Sequence, residues 1–147
     1  MFNKRTNNSK DNFETPDYLF NQLNARYNFT HDVSCNYENS KCGYGFDKTS
    51  DGLKQSWKDY RVFCNPPFSN KKEWIEKAKY EVENGCPIVC MILPCTMETL
   101  RDTEGYFQEI LPYRVSFIDP ETKKEKKGNN HGTVIVHFYS KIKRGAI

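Results

Sequence analysis

Between Pro87 and Pro94 the chain reads Ile88-Val89-Cys90-Met91-Ile92-Leu93, with no charged or strongly polar side chain. A strand with one wet face alternates, whereas one that is apolar at every position needs cover on both faces. This run is therefore expected at the centre of a sheet with layers above and below it. The flanking patterns supply those layers. Thr15-Pro16-Asp17 reads as a helix start: Thr15 as N-cap, Pro16 at the first helical position and Asp17 favourable to the helix dipole. Leu19, Phe20 and Leu23 form its apolar face, and it is expected to end near Tyr27. Residues 29–33 read as a short strand ending in an acidic residue, residues 43–46 as a second brief strand and residues 61–64 as a third. Asn70 is the expected cap of a second helix, with Glu73 at the capping-box position, Trp74, Ala78 and Val82 on one face, Ile75 beside it and Gly85 at its end. Helical pattern returns over residues 97–110. Residues 114–118 and 133–139 alternate in polarity and predict two strands. The order predicts an α/β fold with a mostly parallel sheet, helices on both faces and an antiparallel C-terminal strand.

One turn carries chemistry. Residues 61–64 lead into Asn65-Pro66-Pro67-Phe68. Asn65 offers a side-chain carbonyl, and the two prolines lack N–H groups, so the backbone there only accepts. Their fixed φ stiffens the turn, and Phe68 adds a flat face for stacking. Two fixed acceptors beside an aromatic face suit a planar group bearing an NH2, such as the exocyclic amine of adenine. That nitrogen is a poor nucleophile because its lone pair is conjugated into the ring. Donation of both N–H bonds, to Asn65 and to the Pro66 carbonyl, draws it towards a tetrahedral shape. The nitrogen becomes cationic as it attacks a methyl group, so the acceptors stabilise the transition state most. The plain alternative is a Pro-Pro turn ending a strand, with Phe68 in the core.

Other residues are candidates by position. Asp32 at the carboxyl end of a strand is well placed to bind the amino group or ribose of an adenosyl cofactor; it serves equally as a turn residue. Asp51-Gly52-Leu53 places Asp51 where it accepts from an adenine amine, or it is an ordinary Asp-Gly turn. Trp57 is expected in the core or in a pocket wall. Lys71 and Lys72 oppose the dipole of their helix and either meet phosphate or are surface lysines. Lys123, Lys124, Lys126 and Lys127 lie between the last two expected strands, as a phosphate contact or a solvated edge.

The 147 residues fit one domain, expected as a loose polar stretch over 1–12 followed by one folded domain over 13–147. A net charge of +3 allows nucleic-acid binding without arguing for it. No apolar run is long enough to span a membrane, and the polar start lacks a signal-peptide core. The expected location is the cytosol, with the six cysteines reduced. None of the cysteines has the paired spacing of a zinc ribbon; His31 with Cys35 and Cys42 is the alternative for part of a metal site, and free thiols are the expectation.

Together these pieces resemble the small phage-type DNA N-6-adenine methyltransferases, relatives of the Dam-like enzymes. The resemblance runs through Thr15-Pro16, Asp32-Val33, Asp51-Gly52-Leu53 with Trp57, Asn65-Pro66-Pro67-Phe68, Leu93-Pro94, Arg114-Val115-Ser116-Phe117 and the last strand, and only the Asn-Pro-Pro-Phe turn is sharply specific. It implies a small Rossmann-like fold, S-adenosylmethionine as methyl donor and adenine in double-stranded DNA as acceptor, in the cytoplasm of a bacterial host if the protein is phage-encoded. It also implies a catalytic turn of Asn65, Pro66, Pro67 and Phe68, with Thr15, Pro16, Asp32 and Asp51 around the cofactor. One departure from the wider methyltransferase pattern is the segment Val33-Ser34-Cys35-Asn36-Tyr37, where a glycine-rich loop usually follows the first strand. Two other readings stand beside this one. Asn-Pro-Pro-aromatic turns also serve methyl transfer to RNA bases or to a protein glutamine amide, and a non-catalytic DNA-binding module can retain the fold.

Overall fold

The apolar run forms β4 (Ile88–Pro94), buried at every position. It sits inside a six-stranded sheet with the order β2-β1-β3-β4-β6-β5. The other strands are β1 (His31–Asp32), β2 (Tyr44–Gly45), β3 (Arg61–Cys64), β5 (Phe107–Ile110) and β6 (Thr133–Phe138). Pairing is parallel from β2 through β4, and β6 is antiparallel to both β4 and β5. Thus β6 is the strand that runs against the rest, which gives the expected small Rossmann-like architecture. The structure, a computed structural model, describes residues 13–35, 40–125 and 131–141. The expected loose stretch 1–12, along with Asn36, Tyr37, Lys126 and Lys127, lies outside the described residues.

Side-chain alternation sends each strand's residues to two separate cores. On one face Val62, Cys64, Val89, Met91, Leu93, Val134, Val136 and Phe138 meet α2 (Lys71–Glu83) through Trp74, Ile75, Ala78 and Val82. On the other face Phe63, Cys90, Ile92 and Ile135 meet α1 (Asp17–Tyr27) through Leu19, Phe20 and Leu23. Burying side chains of this size contributes roughly 1.5–3 kcal/mol each, so these three positions hold α1 to the sheet far more strongly than its helix propensity does. Among the described residues no helix is long and apolar enough to cross a membrane.

Four local expectations are corrected. Thr15 does not cap α1: Pro16 occupies the cap position with no side-chain cap hydrogen bond, and the Thr15 hydroxyl is engaged elsewhere. Asn70 makes no side-chain cap bond either, because a 3-10 turn over Phe68–Asn70 runs directly into α2. The helix expected over 97–110 stops early, as α3 (Met97–Asp102). Gly105 has φ +93, a left-handed value that ends helical winding cheaply only for glycine, and the chain then pairs with β6 as β5. Residues 114–118 are not a sheet strand. They cross the α1-side core, burying Val115 and Phe117, and meet the chain start through an isolated bridge between Glu14 and Ile118.

Candidate active site

In a parallel sheet ligands bind beyond the carboxyl ends of the strands, at the point where strand order reverses. Here the chain goes from β1 outward to β2 and then back to β3 on the other side of β1. The crevice between the ends of β1 and β3 is that point. Register sets Asp32, the last residue of β1, beside Phe63, two residues before Asn65. A cavity of about 460 Å³ lies there, lined among others by Thr15, Asp32, Asp51, Asn65 and Pro67. One space thus gathers residues spread over fifty positions of sequence, within the size range of small-ligand sites.

Asn65 is half-buried and its amide orientation is fixed. Nδ2 donates to the Phe13 carbonyl at 3.2 Å and to Thr15 Oγ1 at 2.9 Å. A backbone carbonyl only accepts, so the group facing Phe13 is the NH2 end, and Oδ1 is the end left to accept. Pro66 is buried beside the cavity. Phe68 is half-buried on the α1 side of the core, nearly perpendicular to Phe117 at 88° with ring centroids 6.3 Å apart. Pro16 is buried at the start of α1, where its carbonyl accepts from the Leu19 and Phe20 amides. None of these three residues lines the cavity itself.

Asp32 is 3% exposed. Its Oδ2 accepts from the Lys41 amide at 3.0 Å and Oδ1 from the Ser34 amide at 3.4 Å, so it also organises the turn after β1. Burial pushes its carboxyl up to about 6, against the lowering effect of those two amides. Such a carboxylate at a cavity wall gains from any donor that enters.

Asp51 has φ 54, and its Oδ1 accepts from the Leu53 amide at 3.2 Å, capping the 3-10 turn Gly52–Lys54. Gly52 explains how a chain lacking the usual glycine-rich loop closes this corner. A Cβ at Gly52 would stand 2.0 Å from the Val33 carbonyl oxygen, so only glycine lets the two backbones approach. Trp57 lies in the core, where its indole N–H donates to the Gly52 carbonyl at 2.9 Å and pins the turn from beneath.

The cavity also has walls that sequence reasoning did not single out: Phe13, Lys41, Phe46 and Trp74. Trp74 was assigned to the core face of its helix, which holds, yet it also reaches the cavity. Its indole Nε1 is buried with no hydrogen-bond partner among the described residues. An aromatic and apolar wall, a buried carboxylate and a second carboxylate fit a nucleoside-like ligand with hydroxyl and amine donors.

Three of the lysine candidates are paired with acids. Lys71 pairs with Glu98 at 3.0 Å and Lys72 with Asp102 at 3.9 Å, joining α2 to α3. Lys123 reaches Glu14 at 3.1 Å. His31 is stacked on Tyr60 with ring centroids 3.5 Å apart, and among the described residues no three metal-ligating side chains converge. Burial pushes the Cys35 thiol up to about 11 and Cys42 up to about 12, which favours the protonated thiol at neutral pH.

A model of the DNA N-6-adenine-methyltransferase (Dam) family matches residues 3–147. The DNA N-6-adenine-methyltransferase of Escherichia phage T1 is 28% identical over 159 residues, covering 94% of this chain and 66% of the relative. The chain therefore spans just under two thirds of the length of that curated relative.

Proposed function

The chain belongs to the DNA N-6-adenine-methyltransferase (Dam) family, and from that premise we propose that it transfers a methyl group from S-adenosylmethionine to N6 of adenine in double-stranded DNA. The observation that carries this reading is the fixed Asn65 amide, whose NH2 end is held by Phe13 and Thr15 at the edge of a cavity that also holds Asp32.

S-adenosylmethionine supplies an electrophilic sulfonium methyl when bound. Asp32 accepts from the hydroxyl or ammonium groups of the cofactor, and Asp51 from its adenine amine, while Phe46, Leu53 and Trp74 provide apolar walls. The target adenine is flipped out of the duplex, since in the helix one of its amine hydrogens is committed to the base pair and its ring faces are stacked. Phe68, braced by Phe117, supplies the stacking face. Asn65 Oδ1 and the Pro66 carbonyl accept hydrogen bonds from the two amine N–H groups and stabilise the positive charge that grows on nitrogen as its bond to the methyl carbon forms and the sulfur–carbon bond breaks. The surplus proton then passes to solvent. Pro67 keeps the turn rigid, so little reorganisation accompanies the reaction.

The test is transfer of label from S-adenosylmethionine to unmethylated duplex DNA, followed by digestion and separation of nucleosides. Label in N6-methyldeoxyadenosine is expected. Label only in RNA or protein would move the acceptor to one of the other substrates of such turns, and DNA binding without cofactor binding would favour the non-catalytic module.

A further inference from the structure

We propose that the Phe13 carbonyl and Thr15 form a clamp on the Asn65 amide, the carbonyl selecting which end faces the cavity and the Thr15 hydroxyl holding the amide plane, which makes Thr15 a positioning residue for methyl transfer. The consequence for catalysis rests on the adenine-methyltransferase reading; the clamp itself rests on geometry alone.

A primary amide has two ends of almost identical shape and opposite hydrogen-bonding sense. Turned over, Asn65 would present N–H donors to an amine that is itself a donor, and the acceptor needed at the transition state would be lost. Sterics alone do not prevent this. The Phe13 carbonyl, which can only accept, does, at 3.2 Å from Nδ2; Thr15 Oγ1 at 2.9 Å accepts from the same NH2 group and, being able to donate as well, holds the amide plane in place rather than choosing its end. Thr15 is 2% exposed, so bulk water does not compete for its hydroxyl. An unmade bond at a buried polar group costs more than the made bond contributes, which biases the amide strongly towards this orientation.

The clamp is itself held. Glu14, between the two acceptors, donates its amide to the Ile118 carbonyl at 2.8 Å and accepts from the Ile118 amide at 2.9 Å. Its carboxylate meets Lys123. The bridge fixes the 13–15 segment from the side away from Asn65, so both acceptors keep their places. This accounts for a buried threonine just before α1 whose side chain makes no cap bond.

Full-length Thr15→Val keeps the branched shape and removes the oxygen, and Thr15→Ser restores it. With unmethylated duplex DNA and saturating S-adenosylmethionine, the Val variant is expected to lower the single-turnover rate by about 10- to 100-fold. Cofactor Kd is titrated for each variant so that every rate is read at saturation, and Ser recovers most of the rate. In an Asn65→Ala background the Val change has little further effect, because Thr15 acts through Asn65. A readout independent of turnover is hydrogen exchange of the Asn65 side-chain amide by NMR: slow in the wild type and Ser variant, at least about tenfold faster in the Val variant. Thr15→Ala provides the same comparison if the Val variant does not fold.

Unchanged amide exchange in the Val variant overturns the clamp. A raised cofactor Kd with an unchanged saturated rate overturns it too, by making Thr15 a cofactor ligand. If the wild type transfers no methyl group to DNA, the functional reading fails, and amide exchange still decides the clamp.

Discussion

The two ends of α1 each carry a polar cluster, and the clusters differ in what they leave unused. At the last turn the Tyr27 hydroxyl meets His137 Nδ1 at 2.5 Å, and His137 Nε2 meets Glu109 Oε1 at 2.9 Å. Arg26 holds Glu109 at 3.2 and 3.3 Å. A carboxylate only accepts, so Nε2 carries the proton and Nδ1 accepts from Tyr27. Both ring nitrogens of this fully buried histidine are consumed, and Phe107 stacks on its ring. Just before the first turn, the Asn65 amide is tied, among the described residues, by its NH2 end only, at a cavity. A closed network fastens helix to sheet. An open one, fixed in orientation with an acceptor left beside a cavity, is the arrangement that the proposed methyl transfer calls for.

The contrast predicts separable losses. Asn65→Ala is expected to reduce the rate by about 10²–10³-fold, as loss of one preorganised group at a developing charge does. Its cofactor Kd stays near wild type, while stability falls by about 1–3 kcal/mol because the buried Thr15 hydroxyl loses the Nδ2 donor; a loss of rate explained wholly by cofactor affinity would break the distinction. Gly52→Ala forces backbone against backbone at Val33, and is expected to lower stability by about 1–3 kcal/mol and weaken cofactor binding, read by denaturation and titration. Tyr27→Phe leaves His137 Nδ1 buried without its donor and is expected to lower stability by about 1–2 kcal/mol while the rate per folded molecule holds. A rate falling with Tyr27 would show that the closed cluster also serves catalysis.

Acid separates the two regions by sign. Burial raises the Asp32 carboxyl to about 6 from 3.8, so the folded state takes up a proton more readily than the unfolded chain. Asp32 therefore favours folding more as pH falls from about 6 towards 3.8, and its penalty is complete above about 6. Burial lowers the His137 pKa below 6.5 despite the Glu109 carboxylate. Its contribution is present above 6.5 and lost as pH falls through the lower folded value. Removing each group in turn, as Asp32→Asn and His137→Asn, and following ΔG of unfolding against pH is expected to remove slopes of opposite sign. Cofactor affinity is expected to rise by severalfold from pH 5 to 7.5 as Asp32 ionises, and to flatten in Asp32→Asn. An unchanged pH profile in that variant would detach Asp32 from the cofactor.

The layered sheet was legible because β4 has no polar position and α2 keeps its apolar period. The turn at Asn65 was legible because proline and asparagine act locally. What escaped depended on contacts distant in sequence. Nothing near Thr15 reports that its hydroxyl faces a residue fifty positions on. Residues 107–110 follow a helical start and become a strand only because β6 offers an edge to pair with. Trp74 shows a helix face, not the cavity that face borders. The Gly52 contact with Val33 replaces a local glycine loop by a tertiary one, which no local pattern encodes.

The most direct test of the central claim is a crystal structure of the full chain with S-adenosylhomocysteine and an unmethylated duplex. The account predicts the adenosyl group in the cavity between the ends of β1 and β3, and the flipped adenine N6 within hydrogen-bond distance of Asn65 Oδ1 and the Pro66 carbonyl. An adenine held elsewhere, or an Asn65 amide presenting its NH2 end to the base, would contradict it.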